Sequence, residues 1–249
     1  MHPSFRTIAH RPWPLPTGPW VLAQNWHNLL FAHWPVAAER LRPLVPKALE
    51  MDVFYGTAWI SVVPFTMSGV RLRATPSLPW LSAFPELNVR TYVVNAGRPG
   101  VWFFSLDAAN RLAVEIARSW FHLPYLFARM SSSLDGETVN YSSLRCDPRG
   151  ENAELRMRYV PTGPTRKAKE GTLEYFLSER YCLYAQKPNG ELLRSEIHHA
   201  PWFLRDVTAS FAVNSMASGL GLELSSPPAM MHFSKLQEVV VWRPEKLTR

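Results

Sequence analysis

The segment FPELNVRTYV, residues 84–93, carries the polar side chains that most resemble a binding site. On a β-strand, Glu86, Asn88 and Arg90 fall on one face, because side chains alternate between the two faces. Three polar groups in line could hold a carboxylate, with the Arg90 guanidinium as the cation. The alternative is an ordinary half-buried strand that turns its polar side to water. The face is a binding surface only if it points into the interior.

The segment VWFFSLD, residues 101–107, is predicted to be the partner strand. Strict alternation places Trp102, Phe104 and Leu106 on one face of that strand. We therefore expect Trp102 and Phe104 to form an aromatic wall of the same site. This wall would surround the ligand with apolar surface, as small-molecule sites commonly do.

Two histidines are candidate acid–base groups, because the ordinary pKa of histidine lies near neutrality. His122 stands three residues before Tyr125, so that His122 could act as a base and Tyr125 could donate a hydrogen bond to an oxyanion. A histidine at this place can equally cap the end of a helix. His199, in the segment HHAPWFL, has the same two interpretations. Arg180 is a further polar candidate.

Motifs for cofactors and metals are missing from the sequence. It contains no GxGxxG, no GxxxxGK[ST], no HExxH and no CxxC. His198 and His199 are adjacent, so on a strand they point to opposite faces and cannot share one ion without a distant third ligand. We predict neither a cofactor nor a metal site.

The elements that would position these residues are mostly strands. Residues 49–68 read as a hairpin around Tyr55 and Gly56, and residues 86–94 pair with 101–107 in a second hairpin. Residues 108–121 have apolar positions at helical spacing and predict the best helix of the chain. Several further strand-like segments follow at short spacing. The pattern predicts an α+β fold, with a large antiparallel sheet curled into a β barrel and a few short helices.

Composition limits the class of protein and the kind of partner. The chain has 249 residues, 47% of them hydrophobic, which suffices for one sizeable core. We divide it into a proline-rich arm, residues 1–20, and a single domain, residues 21–249. The sequence shows no secretory signal and no uninterrupted membrane span, which predicts a cytoplasmic protein without a membrane partner. The net charge of +7 is spread along the chain, which disfavours nucleic acid as a partner. The two cysteines are expected to be buried thiols.

Several phrases together resemble the bacterial YqjF-like family of uncharacterised proteins, from about residue 24 to the carboxyl end. They are WHNLLFAHWPV, LVPKALEMDVFYGTAWISVVPF, FPELNVRTYV, FFSLDAANRLAV, FHLPY, FLSERYCLY, HHAPW and MHFSK. The resemblance places the chain in the acetoacetate decarboxylase-like superfamily. It implies an antiparallel barrel with an apolar cavity and a tendency to form oligomers, for which we expect a homodimer.

The superfamily's decarboxylase forms a Schiff base from a lysine in a Gly-Tyr-Pro-Lys-Lys motif. The corresponding place in this sequence resembles residues 122–126, His-Leu-Pro-Tyr-Leu, which hold no lysine. The resemblance therefore implies a barrel that would bind, and could transform, a small organic acid or ketone without an imine intermediate. The alternative is a non-catalytic scaffold or interaction module. Whether the chain is an enzyme stays open at this point.

Overall fold

A computed structural model describes residues 2–77 and 82–247 of the chain. Residues 1, 248 and 249, at the outer ends of the predicted arm and domain, lie outside the described residues. Within the described part, the strands are β1 (Leu22–Val36), β2 (Glu50–Met51), β3 (Ala58–Leu72), β4 (Phe84–Asn95), β5 (Arg98–Ala108), β6 (Tyr125–Asp135), β7 (Thr138–Arg145), β8 (Glu154–Arg166), β9 (Cys182–Gln186), β10 (Leu192–His198), β11 (Leu204–Asn214), β12 (Met230–Val241) and β13 (Glu245–Lys246).

The helices are short and few in this part of the chain. The α-helices are α1 (Ala38–Leu41), α2 (Arg111–Phe121) and α3 (Leu173–Ser178), and 3-10 turns cover Pro3–Arg6, Arg42–Leu44 and Ser218–Leu220. The prediction of an α+β fold built on one large sheet with a few short helices is confirmed.

The sheet closes on itself in two rings that share five strands. A wide ring runs β5-β6-β7-β8-β11-β12-β1-β3-β4 and returns to β5. A narrow ring runs β5-β9-β10-β12-β1-β3-β4 and also returns to β5. The two rings diverge at β5. One edge of β5 pairs with β9 at Val101 and with β6 at Leu106. Ring closure satisfies edge groups that an open sheet would leave unpaired.

The strands shared by the rings have two buried faces. On β1 and β3, Leu30 and Val62 face the wide ring and belong to a core with Tyr141 and Leu155. The opposite face packs residues such as Phe31 around the narrow ring. Successive side chains of each shared strand therefore alternate between the core of the wide ring and the interior of the narrow ring.

Local sequence explains the second hairpin and the main helix. Ala96 and Gly97 both have positive φ, 48° and 71°, and form the two-residue turn that matches strand twist in a hairpin. Helix α2 begins after Asn110, whose side chain accepts a hydrogen bond from the backbone N–H of Ala113. It ends at His122, which adopts a left-handed conformation with φ 54°. The hairpin and the helix were both predicted.

Other local predictions were incomplete or wrong. The turn at Tyr55 and Gly56 exists, but β2 pairs with β4 and not with β3, so residues 49–68 are not a simple hairpin. Strand β1 lies in a segment for which the sequence patterns predicted no strand. Cys182 is buried as expected, whereas Cys146 is exposed, and both are free thiols.

Residues 2–20 lie along the narrow ring and its neighbouring strands. The His198 Nε2 atom lies 2.9 Å from the Ser4 carbonyl oxygen, and the Trp13 indole donates to Glu196 at 2.7 Å. The Trp242 indole donates to the Gly18 carbonyl. Within the described residues, no helix has the length and apolar character needed to cross a membrane.

Candidate functional site

The narrow ring encloses a cavity of about 270 Å³. Most of its wall is apolar, and each strand of the ring contributes to it, together with one side of α2. The larger apolar and aromatic side chains of the wall are Trp26, Phe31, Phe65, Met67, Phe84, Phe103, Phe121 and Trp202. Three lining side chains are exposed and mark the mouth: Leu72 on β3, and Ile116 and Trp120 on α2.

Strand β4 presents its polar face to this cavity. Glu86, Asn88 and Arg90 all line it and are all buried. The intervening Leu87 and Val89 belong to the core of the wide ring. The structure therefore brings these three predicted residues together on an interior surface.

Glu86 is held as an uncharged acid at neutral pH. Burial raises the pKa of its carboxyl from 4.5 to about 8, and the nearby Asp107 adds to the increase. The hydroxyl of Tyr125 donates to Glu86 Oε2 at 3.0 Å, which lowers the pKa by a smaller amount. Burial and Glu86 also raise the pKa of Tyr125 well above its ordinary value. The pair can exchange a proton with a bound molecule without carrying a negative charge at rest.

Arg90 is a buried cation without a carboxylate partner. Its guanidinium carbon lies 5.3 Å from the ring centre of Phe31 and 5.8 Å from that of Tyr92, and Nη2 lies 3.4 Å from the Leu177 carbonyl. None of the ion pairs found among the described residues includes Arg90. Burial lowers the pKa of Arg90 from its ordinary value, although Tyr92 opposes this effect. A buried cation in this position needs an anion or several hydrogen-bond acceptors.

Arg180 brings a second guanidinium to the cavity wall, but its charge is compensated. It donates to Asp52 at 2.5 Å and to the Phe176 carbonyl at 2.7 Å, and it stacks on Phe176. Asp52 precedes it by 128 residues in the chain, so only the fold could reveal the pair. Arg71, at the end of β3 near the mouth, also lines the cavity without an ion pair among the described residues, but it is only half-buried. Arg90 is thus the buried cation of the wall that has no carboxylate partner in the described part of the chain.

His199 lines the cavity as a neutral ring. Burial lowers its pKa to about 4. Nε2 lies 3.2 Å from the Arg180 carbonyl and Nδ1 lies 3.0 Å from the amide nitrogen of Gln237. Nδ1 also lies 2.8 Å from the Ala200 carbonyl oxygen, so each ring nitrogen has a carbonyl oxygen within hydrogen-bond distance. Both nitrogens are occupied, so His199 shapes the wall and has no free nitrogen for base chemistry.

Three predicted residues lie elsewhere. Trp102, Phe104 and His122 line a separate groove and do not line the cavity. The pairing of β4 with β5 shifts register between Val89 and Arg90, which inserts one extra residue on β5. Such a bulge reverses the alternation of side chains. Phe103 and Leu106 face the cavity in place of Trp102 and Phe104.

Residues of the site that the sequence analysis missed come from β1 and from the segment after β10. Trp26 and Phe31 line the cavity from β1, and Trp202 lines it three residues after the predicted His199. Asn28, between Trp26 and Phe31, has φ 49°, and the pairing of β1 with β3 shifts register in this region. The residue that faces the cavity after Trp26 is therefore Leu29, three positions later. The aromatic residues of the segment WHNLLF are the sequence feature that could have indicated these cavity positions.

Four buried polar atoms of the wall have no hydrogen-bond partner among the described residues. They are Asn88 Oδ1, Arg90 Nε, Trp26 Nε1 and Trp202 Nε1. Three of them are donors and one is an acceptor. An unsatisfied buried polar atom costs about 1–3 kcal/mol, so this set favours a polar occupant.

No lysine reaches the cavity, and no metal cluster is evident. All six lysines are in the described part of the chain, and none lines the cavity. Lys235, on β12, is exposed. Within residues 2–77 and 82–247, no group of three or more His, Cys, Asp and Glu side chains is arranged to hold a metal ion.

Comparison with known proteins places the chain in a family. Residues 23–238 match the model of the DUF2071 family, described as an uncharacterized conserved protein. This chain belongs to the DUF2071 family. The matched segment contains Glu86, Asn88, Arg90 and Trp202, and therefore most of the cavity wall.

A curated relative and two solved structures extend the comparison. The uncharacterized protein YqjF of Bacillus subtilis (strain 168) is 43% identical over 228 residues, which cover 92% of this chain and 93% of YqjF. Acetoacetate decarboxylase from Legionella pneumophila superposes with a TM-score of 0.62 at 11% identity, covering 96% of this chain and 93% of that one. The enduracididine biosynthesis enzyme MppR, complexed with pyruvate, superposes with a TM-score of 0.61 at 12% identity, covering 94% and 92%. The resemblance inferred from the sequence is confirmed, and the structural similarity shows a shared fold.

Proposed function

We propose that this DUF2071 protein binds a small organic acid or ketone inside the narrow ring and can transform it without an imine intermediate. The observation that carries the proposal is Arg90, a buried guanidinium that lines the cavity and has no carboxylate within ion-pairing distance among the described residues. A ligand carboxylate supplies the missing anion. The pyruvate bound by MppR, which shares the fold, supports an organic acid as the ligand class.

The electrostatics of the wall favour an anion over a cation. With a pKa of about 8, Glu86 is mostly protonated at pH 7 and contributes no charge. His199 is neutral, and Arg180 is paired with Asp52. The charge of Arg90 is therefore left without an opposite charge in a wall of low polarity, where attraction for an anion is stronger than in water.

Other unpartnered polar atoms of the wall fit a carboxylate or a carbonyl. The unpartnered indole N–H groups of Trp26 and Trp202 can donate to oxygen, and Asn88 Oδ1 can accept from a hydroxyl. Glu86 supports chemistry beyond binding, because a protonated carboxyl can give a proton to a ligand oxygen or carbon and recover it later. Tyr125, which donates to Glu86, orients that carboxyl.

An imine route lacks its nucleophile in this cavity. Lysine is the side chain that forms Schiff bases with carbonyl substrates. The six lysines lie outside the cavity wall, most of them exposed. An exposed amine keeps a pKa near 10.4 and is protonated at neutral pH. We therefore assign proton transfer through Glu86 as the chemistry open to the site.

The test is ligand binding by wild type and by Arg90→Met. Pyruvate and acetoacetate are titrated by calorimetry, and melting is followed with and without each acid. We expect both acids to bind wild type and to raise its melting temperature, and we expect Arg90→Met to lose both effects. Arg129→Met is the matched control, because Arg129 lies on an exposed strand position.

Stability separates a ligand-binding arginine from a structural one. Methionine keeps most of the apolar stem of Arg90, and removal of an unpaired buried charge costs little or stabilises the fold. A large drop in the melting temperature of Arg90→Met, with no ligand effect in either protein, contradicts the proposal. It would favour the alternative of a non-catalytic scaffold.

A further inference from the structure

The cavity continues well beyond the polar residues of β4. On the cavity face of β3, the wall proceeds from Val63 through Phe65 and Met67 to Leu72 at the mouth. Register orders the polar groups along this path, since Asn88 lies opposite Val63 and Glu86 lies opposite Phe65. Arg90 lies opposite Ser61 and is thus the polar group farthest along the strand from the mouth.

Apart from Glu86 and Asn88 of β4 and Arg71 near the mouth, the part of the wall between the mouth and Arg90 is largely apolar. Helix α2 contributes Ala113, Ile116 and Ala117 to it, and β1 contributes Trp26. The volume of about 270 Å³ is close to the lower end of ordinary ligand pockets, about 300–1,000 Å³. A three-carbon acid held at Arg90 would leave most of this apolar wall without contact.

We infer that the ligand is an amphipathic acid, with a carboxylate at Arg90 and an apolar chain or ring directed toward α2. This inference rests on the proposed function, because it assumes that Arg90 holds the acid. The unpartnered donors Arg90 Nε and Trp202 Nε1 bind the carboxylate end. The aromatic residues Trp26 and Phe65, with Met67, pack along the apolar body. The exposed Ile116 and Trp120 form the entrance through which that body passes.

Binding of straight-chain acids of increasing length tests the inference on the wild-type protein. Butyrate, hexanoate and octanoate are titrated by calorimetry at one pH and salt concentration. Full burial of each methylene group strengthens binding about fourfold, which corresponds to about 0.8 kcal/mol. We expect octanoate to bind more than about tenfold tighter than butyrate, and octylamine, which carries the opposite charge, not to bind.

A variant of α2 locates the apolar body. Ala117→Trp fills the cavity next to the mouth and should weaken octanoate binding at least about tenfold more than it weakens butyrate binding. Leu112→Trp is the matched control, since Leu112 is exposed on the same helix and does not line the cavity. It should leave the affinity for both acids unchanged. If Ala117→Trp fails to fold, the chain-length series on wild type decides alone.

The possible failures are distinguishable. If butyrate binds and octanoate binds no tighter, the inference of an apolar body is overturned and the proposed function stands. If no carboxylate of any length binds, the proposed function is overturned and the inference with it. If octylamine binds as tightly as octanoate, Arg90 does not select the head group, and both are overturned.

Discussion

Glu86 makes the stability of this protein depend on pH in a direction opposite to that of most paired carboxylates. Its pKa of about 8 in the folded state lies above the ordinary value of 4.5. The native state therefore keeps a proton that the unfolded chain releases. Below pH 4.5 the contribution of Glu86 to the free energy of unfolding is at its most favourable. Between pH 4.5 and pH 8 the free energy of unfolding falls by about 1.4 kcal/mol for each pH unit. Over this window the loss sums to about 5 kcal/mol.

Glu86→Gln removes the titration and retains the shape and the acceptor for Tyr125. We expect the free energy of unfolding of wild type, minus that of Glu86→Gln, to fall by about 3–4 kcal/mol between pH 5 and pH 8. Above pH 8 the difference should become nearly constant. Urea unfolding at a series of pH values, followed by circular dichroism, measures it.

Glu137→Gln serves as the control for this experiment. The Arg205 guanidinium lowers the pKa of Glu137, so its protonation affects stability only below its ordinary pKa of 4.5. The difference between wild type and this variant should be constant from pH 5 to pH 8. A flat difference for Glu86→Gln over the same range would refute the conclusion that Glu86 is a buried neutral acid.

Three further predictions concern the lysines, a buried ion pair and assembly. Borohydride added with acetoacetate or pyruvate should leave the protein mass unchanged, because no lysine lines the cavity; an adduct on any lysine, found by mass spectrometry, would contradict this. Arg145→Met should lower the free energy of unfolding by about 3–5 kcal/mol in urea, because it leaves the buried Asp107 without its cation; a loss below about 1 kcal/mol would show that the pair is dispensable. Light scattering should give twice the chain mass of 28.5 kDa, since Trp120 and Phe203 are exposed and could be buried between two copies; a monomer mass at micromolar concentration would contradict this.

The sequence alone was sufficient for features that depend on neighbouring residues. Alternation placed Glu86, Asn88 and Arg90 on one face of β4, and the turn signal at Gly97 defined the hairpin with β5. Helical spacing located α2. These features follow from backbone preferences and side-chain periodicity over a few residues, which act before any distant contact forms.

Tertiary structure alone decided which of these residues meet. The bulges at Asn28 and Phe104 change the face that each strand turns to the cavity, and nothing in the local alternation announces them. His199 reaches the cavity wall while His122 ends α2 outside it, although both were equal candidates in the sequence. Arg180 is not available to a ligand, because it pairs with Asp52, which lies far away in the chain. Closure of the narrow ring sets these outcomes, because pairing between distant strands determines which face is buried and which charge is left without a partner.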